Sequence, residues 1–292
     1  MTRPKGQKHE VHMSHPDKFL LAGVMGWPVM HSRSPHLHNY WFKQHGLAGT
    51  YVPLAIEPGK LGPALRALAP LGFAGCNLTI PHKEAALALV DEIHPTARKM
   101  GAISCVTVRK DGSLIGTNND GYGYIHALLE AQPTFKADAG PAVVIGAGGG
   151  ARAVVLSLLD RGAKEIRLIN RTMTRAETLA RDLGGPIRPI AWESRHDALE
   201  GANLLVNTTS QGMVGQGDLD LRLVKLPPSA VVSDIVYIPK ETPLLVAGRA
   251  RGNPTVNGLG MLLHQARPAW QSWFGITPEV TPELRLQIEA TL

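Results

Sequence analysis

A two-domain α/β fold is predicted by three observations. The chain has 292 residues, enough for two separate cores; strand-like and helix-like segments alternate along it; and a polar connector divides that alternation into two series. "FLLAGVMG" (19–26) reads as a buried strand. "SPHLHNYWFKQHG" follows as a helix, with Ser34 as N-cap, Pro35 at its first position and Gly46 at its end. "TYVPLAIE" is the second strand, residues 60–70 a helix, and "FAGCNLTI" the third strand, which runs into the helix "PHKEAALALVDEI". "SCVTVRKDGSLIGTN" places two β-rich arms around Asp111-Gly112, the signal of a hairpin. The first series is therefore a mostly parallel sheet with a hairpin appended.

"DGYGYIHALLEA" (120–131) reads as a helix and "QPTFKADAGP" as the connector, so the domain boundary falls near this helix. The second series has strands at 142–146, 165–170, 187–190, 203–207 and 231–236, with helices at 150–161 and 173–183. "NGLGMLLHQARPAWQSWF" (257–274) is a strongly apolar helix able to pack on either domain. Residues 1–18 carry charge but no apolar stretch, and read as a disordered leader rather than a signal peptide.

Composition narrows the function. Apolar residues make up 44% and aromatic residues 5%, and no apolar run approaches the ~18 residues of a membrane span, so no membrane partner is expected. The two cysteines, Cys76 and Cys105, form no CxxC pair, which argues against a disulfide framework or structural zinc and fits a reducing cytoplasm. The net charge of +6 is scattered, without interleaved aromatics. That pattern suits anionic small ligands better than nucleic acid.

The most specific motif is "AVVIGAGGGARAVVLSLLDRG". An apolar strand enters Gly146-Ala147-Gly148-Gly149-Gly150-Ala151, and a helical pattern follows at once. Gly146 permits the tight turn, Gly148 lets backbone approach a pyrophosphate, and Ala151 lets helix and strand pack closely. The helix start offers free N–H groups and partial positive charge to phosphates. A Rossmann-type dinucleotide-binding domain follows. The second strand of such a unit usually ends in a carboxylate that holds the ribose 2′-hydroxyl. Here it ends in "LINRTMTRAE". Arg171 and Arg175 would attract a 2′-phosphate, and Asn170 and Thr172 could donate hydrogen bonds to it, so NADP is the expected cofactor rather than NAD.

A nicotinamide enzyme that reduces a ketone also needs a proton donor. The chain has no Tyr-x-x-x-Lys and no zinc-ligand set. His31, His36 and His38 cluster without carboxylates or cysteines at ligand spacing, so no metal is expected. Lys83 is the better candidate. It falls in a first helical turn at the carboxyl end of a strand, where ligands of open α/β sheets gather and where the helix dipole favours proton loss. Asp120 is its candidate partner, although an aspartate in that position is also a standard N-cap. Ser32, Ser34, Asn77, Thr79, Asn118 and Asn119 gather at the same strand and hairpin ends, a set suited to a small ligand rich in hydroxyls.

These motifs resemble the shikimate dehydrogenase family. "GWPVMHSRSPHLHN" is similar to its G-x-P-x-x-H-S-x-S-P-x-x-H-N signature, and "NLTIPHK" to its N-V-T-x-P-x-K. "VIGAGGGARA", "NRTMTRA", "NTTSQGM", "SDIVY" and "NGLGMLLHQA" have counterparts in order, so the likeness spans residues 19–275. The resemblance implies a substrate domain of 19–120 plus 258–292, with the last helices returning to it, and an NADP domain of 121–257. It implies reversible NADPH-dependent reduction of 3-dehydroshikimate to shikimate, with Lys83 and Asp120 as the catalytic pair. Ser32 and Ser34 would bind the substrate carboxylate; Thr79, Tyr237 and Gln265 would contact its hydroxyls or ring; Met213 and Gly258 would lie by the cofactor. The chain departs from the family at "GAISCV", where Ser104 and Cys105 replace Asn and Thr, and at Asn119, where Thr is usual. Ser104 then takes the place of a hydroxyl-reading amide in the substrate pocket. The departures leave open a related ring acid of the quinate or aminoshikimate type. A non-catalytic NADP-binding sensor is disfavoured by the presence of both Lys83 and Asp120. A monomer or a homodimer is compatible with the sequence.

Overall fold

The structure is a computed structural model that describes residues 19–292; the leader expected over 1–18 lies outside the described residues. The first half runs β1 (Leu20–Gly26), α1 (Ser34–Gln44), β2 (Gly49–Ala55), α2 (Leu61–Ala67), β3 (Phe73–Leu78), α3 (His82–Ala85), β4 (Glu92–Ile93), α4 (Pro95–Met100), β5 (Cys105–Val108) and β6 (Leu114–Thr117). Its strands form one mixed sheet in the order β2-β1-β3-β5-β6-β4. β1 pairs in parallel with both β2 and β3, while β5 and β6 are the antiparallel hairpin. Because β1 is central it is apolar on both faces. Ala22 and Val24 join the core under α1, and Met25 joins the core under α2.

Helix α5 (Asp120–Ala131) leads into the second half. There follow β7 (Ala142–Ile145), α6 (Gly149–Leu159), β8 (Ile166–Ile169), α7 (Met173–Leu183), β9 (Ile187–Ile190), β10 (Leu204–Asn207), β11 (Val231–Asp234), α8 (Pro243–Ala250) and β12 (Thr255–Val256). This sheet is wholly parallel, in the order β12-β11-β10-β7-β8-β9. The strand order reverses between β7 and β10, and that switch point opens the crevice where such sheets bind ligands. Side chains alternate between two cores: Val144, Leu168 and Val206 face one, Val143, Ile169 and Leu205 the other.

The chain ends in α9 (Leu259–His264), α10 (Ala266–Phe274) and α11 (Pro282–Glu289). These helices return to the first sheet. Trp270 and Trp273 pack with Trp41 and Phe42, and Leu284 and Ile288 join the same core. Each indole N–H is satisfied: Trp270 donates to His38 Nδ1 at 2.7 Å, Trp273 to the Val106 carbonyl at 3.0 Å and Trp41 to the Glu279 carbonyl at 3.0 Å. Among the described residues, no helix is long and apolar enough to cross a membrane.

Four expectations change. Ser34 is the first residue of α1 and not its N-cap; the Ser32 hydroxyl accepts the Ser34 N–H at 3.3 Å, leaving the Ser34 hydroxyl free of that duty. The helix expected over 81–93 ends at Ala85 and passes through a short 3₁₀ turn, because the Lys83 carbonyl accepts the Ile103 N–H at 2.8 Å instead of continuing the helix. The helix expected over 257–274 breaks at Gln265. Pro268 has no N–H to bond the carbonyl four residues back, so the chain restarts as α10 with Pro268 in its first turn. Asp120 opens α5, but its side chain does not cap it.

Candidate active site

At the carboxyl ends of β1 and β3 lies a cavity of about 210 Å³. The turn after β1 brings Ser32 and Ser34, the segment after β3 brings Thr79 and Lys83, and the residue before β5 brings Ser104. Tyr237 reaches in from the loop after β11, and the break between α9 and α10 points Gln265 at the same space. A larger cavity of about 410 Å³ adjoins it, sharing Thr79, Lys83, Tyr237 and Gln265, and adding Asp120, Gly149, Gly150 and Gly258. The polar cavity and the glycine-rich turn thus meet at Lys83.

Lys83 Nζ donates to Asp120 Oδ2 at 2.6 Å, with the lysine side chain 31% exposed and the aspartate 9%. The other carboxylate oxygen, Oδ1, is buried and has no partner among the described residues. Asp120 is released from capping because Asn118 Oδ1 accepts the Asp120 N–H at 3.0 Å. Asn118 is itself held by its Nδ2, which donates to the Ala102 carbonyl at 2.9 Å. The outcome is a fixed ammonium, and a carboxylate with one unused acceptor, beside a polar cavity. That arrangement suits proton transfer to or from a ligand oxygen.

Ser104 lines the cavity, yet its hydroxyl is engaged within the protein. Oγ accepts the Asn119 N–H at 2.9 Å and lies 3.4 Å from Asn118 Oδ1. Asn77 is ordered by Tyr51, whose hydroxyl donates to Asn77 Oδ1 at 2.8 Å, and Nδ2 donates to the Ser104 carbonyl at 3.1 Å. Behind them His38 is buried and stacked on Tyr51, with ring centroids 4.0 Å apart; burial lowers its imidazole from 6.5 to about 3. Burial likewise pushes the Cys105 thiol up to about 12, so it is unreactive at neutral pH. Burial raises the Tyr237 phenol, with Arg33 acting in the opposite direction.

The glycine-rich turn fits a dinucleotide. A Cβ on Gly148 would meet nothing within 4 Å, so the space over this residue, the N-cap of α6, is open to a ligand. Gly146 has φ +110°, and a Cβ there would come within 2.6 Å of Thr208 Oγ1. Ala151 is fully buried against the sheet core, as close helix–strand packing requires. A Cβ on Gly258 would lie 2.0 Å from the Ile235 carbonyl oxygen. Gly148, Gly149 and Arg175 line a third cavity, of about 660 Å³, together with Arg152 and α4.

Arg171, Thr172 and Arg175 are exposed at the start of α7, and neither arginine forms an ion pair among the described residues. Asn170 Nδ2 donates to the Thr172 carbonyl at 2.9 Å, so it shapes the turn. Met213 is 43% exposed in the loop after β10 and lines none of the three cavities. Tyr51 carried no functional signal in the sequence, and His38 entered only through its histidine cluster and the 26–39 motif, because only the packing of α1, β2 and α10 brings the two rings together.

Residues 24–106 match the family described as the shikimate dehydrogenase substrate binding domain, and residues 130–219 that described as shikimate / quinate 5-dehydrogenase. Over 268 residues the chain is 55% identical to a shikimate dehydrogenase (NADP(+)) of Paramagnetospirillum magneticum, an alignment covering 92% of this chain and 97% of the relative. It is similar to the shikimate 5-dehydrogenase of Thermus thermophilus in complex with NADP(H) and shikimate, with a TM-score of 0.84 at 34% identity over 94% of this chain and 100% of that one. It is also similar to a quinate dehydrogenase of Corynebacterium glutamicum in complex with NAD, with a TM-score of 0.87 at 30% identity over 93% and 99% of the two chains.

Proposed function

The chain belongs to the shikimate dehydrogenase family, and from that membership and its site we propose that it carries out reversible NADPH-dependent reduction of 3-dehydroshikimate to shikimate through Lys83 and Asp120. The observation that carries the assignment of residues is the 2.6 Å contact of Lys83 Nζ with Asp120 Oδ2, where the polar cavity meets the glycine-rich turn. NADP is the cofactor. Gly146, Gly148, Gly149 and Gly150 would seat its pyrophosphate at the start of α6, with Ala151 setting the packing of that helix and Gly258 the opposite wall. Arg171, Thr172 and Arg175 would hold the 2′-phosphate, on a turn shaped by Asn170, and Met213 would border the nicotinamide. Bound there, the cofactor supplies or accepts the hydride.

The chain's own groups do the rest. Ser32 and Ser34 bind the ring carboxylate, and Thr79, Tyr237 and Gln265 hold its hydroxyls in the same cavity. Lys83 Nζ gives a proton to the oxygen formed on reduction, and takes one back on oxidation. Asp120 Oδ2 fixes that ammonium, leaving Oδ1 to accept from the substrate hydroxyl. The division into 19–120 plus 258–292 for substrate and 121–257 for cofactor follows the same logic. The scattered charge favours a chain without nucleic-acid partners, and we place it in the cytoplasm, without a membrane partner, as a monomer or homodimer.

Steady-state assays with shikimate, quinate and aminoshikimate, each with NADP and with NAD, test the proposal. Highest kcat/KM with shikimate and NADP is expected. A preference for quinate would move the chain to the other activity in the family, and no turnover of any pair would refute an oxidoreductase on these rings.

A further inference from the structure

The cavity of about 660 Å³ beside the glycine-rich turn is not built by the second domain alone. Its outer wall is α4, from the first domain, which contributes Arg98 and Lys99. Helix α4 is fixed there by packing. Ala97 and Met100 are its buried residues, and Met100 sits in a small cluster with Ala153 and Leu156 of α6. Arg98 and Lys99, between those two anchors, remain exposed on the outer face and form no ion pair among the described residues.

The charges of this cavity do not cancel. Its cations are Arg98, Lys99, Arg152 and Arg175, and its acids are Glu84 and Asp182. Asp182 is taken by Arg152 as a hydrogen-bonded ion pair, which lowers its carboxyl, and Arg181 lies 3.8 Å away. Glu84 offsets one of the three cations that remain, Arg175 on one side and Arg98 and Lys99 on the other, so the lining keeps an excess of positive charge beside Gly148 and Gly149. Cations gathered around free helix N–H groups at an open glycine turn form an anion site.

We propose that Arg98 and Lys99 bind the phosphates of the NADP cofactor from across the cleft, so that the substrate domain supplies part of the cofactor site. This rests on the NADP reading above. The ligand would then bridge the two domains, and its binding would favour the arrangement in which α4 lies against α6.

The test is direct NADPH binding to the full-length protein, followed by nicotinamide fluorescence, for wild type and for Arg98→Ala, Lys99→Ala and the double variant. Both side chains are exposed, so the fold is expected to survive. The double variant should bind NADPH at least ~10-fold more weakly at ~50 mM salt, with the gap narrowing at ~200 mM as screening weakens the wild-type contacts. Parallel titrations with NADH identify the phosphate: a loss confined to NADPH places the pair on the 2′-phosphate, and equal losses place it on the pyrophosphate. Wild-type affinity and salt dependence in the double variant overturn the inference alone. Failure of the wild type to bind NADPH overturns the cofactor reading with it.

Discussion

Ser104 Oγ accepts the Asn119 N–H at 2.9 Å, one residue before the carboxylate that holds Lys83. A side chain expected to read a substrate hydroxyl also pins the turn that aims Asp120. Removing it leaves a buried N–H without its acceptor, at a cost of about 1–3 kcal/mol. Ser104→Ala is therefore expected to lower kcat about 10-fold, because Asp120 loses its fixed position, while KM for shikimate stays within about 2-fold. Steady-state kinetics separate the two roles; a raised KM with unchanged kcat would return Ser104 to direct substrate contact.

Lys83 Nζ is shared by the two cavities and is the group there that is held by a carboxylate, Asp120 Oδ2. Lys83→Ala should reduce kcat by at least ~100-fold with little change in KM, the pattern for a lost proton-transfer group. NADPH binding should persist, since the pyrophosphate turn lies on the other domain. Near-normal turnover would end the assignment.

Much of this site is legible in the sequence because its signals are local. The glycine run, the strand before it and the helix after it fix the cofactor turn within a few residues, and the structure puts α6 at Gly149 where a start at 150 is expected. Lys83 is found from its place after a strand even though its helix is wrongly extended to 93; the carbonyl contact with Ile103 that ends the helix comes from a distant segment. Three helices missed in the sequence did carry a start signal. α4, α8 and α11 each begin on a proline, and Thr242 and Thr281 cap α8 and α11 by accepting the N–H groups of Leu245 and Leu284. Their short apolar stretches obscure the period. Arg98 and Lys99 are a different case: only the docking of α4 on α6 puts them beside the cofactor turn, and no spacing in the chain encodes that meeting.

Arg171 and Arg175 stand exposed, without ion-pair partners among the described residues, where a ribose-binding acid is absent. A charge-assisted contact with a 2′-phosphate contributes about 1.5–3 kcal/mol, so Arg171→Ala should weaken NADP by ~10- to 100-fold and leave NAD nearly unchanged. Titration of both cofactors checks this, and equal losses would refute a 2′-phosphate role.

Two buried groups act oppositely on stability in acid. The His38 imidazole is lowered from 6.5 to about 3, so the unfolded chain binds its proton first and stability falls as pH drops from about 6.5 toward 3. The Asp234 carboxyl is raised from 3.8 to about 6 by burial, against hydrogen bonds from Val236 N, Thr242 Oγ1 and Asn207 Nδ2. Here the folded state binds the proton first. Its contribution is fully present below 3.8 and is lost as pH rises through 6, a change of ~3 kcal/mol at ~1.4 kcal/mol per pH unit. Between pH 6 and 4 the Asp234 gain therefore offsets part of the His38 loss. Asp234→Asn keeps a neutral acceptor for Val236 and Asn207, puts an amide N–H where Oδ2 accepts from Thr242 Oγ1, and removes the titration; the lost Thr242 contact is a pH-independent offset, so the test is the pH slope. Urea unfolding of the variant should show a steeper loss of stability from pH 7 to 4 than wild type, with the difference between the two proteins shifting by ~3 kcal/mol across that window. Parallel pH profiles would mean that Asp234 does not titrate there, and the acid behaviour would have to rest on other groups.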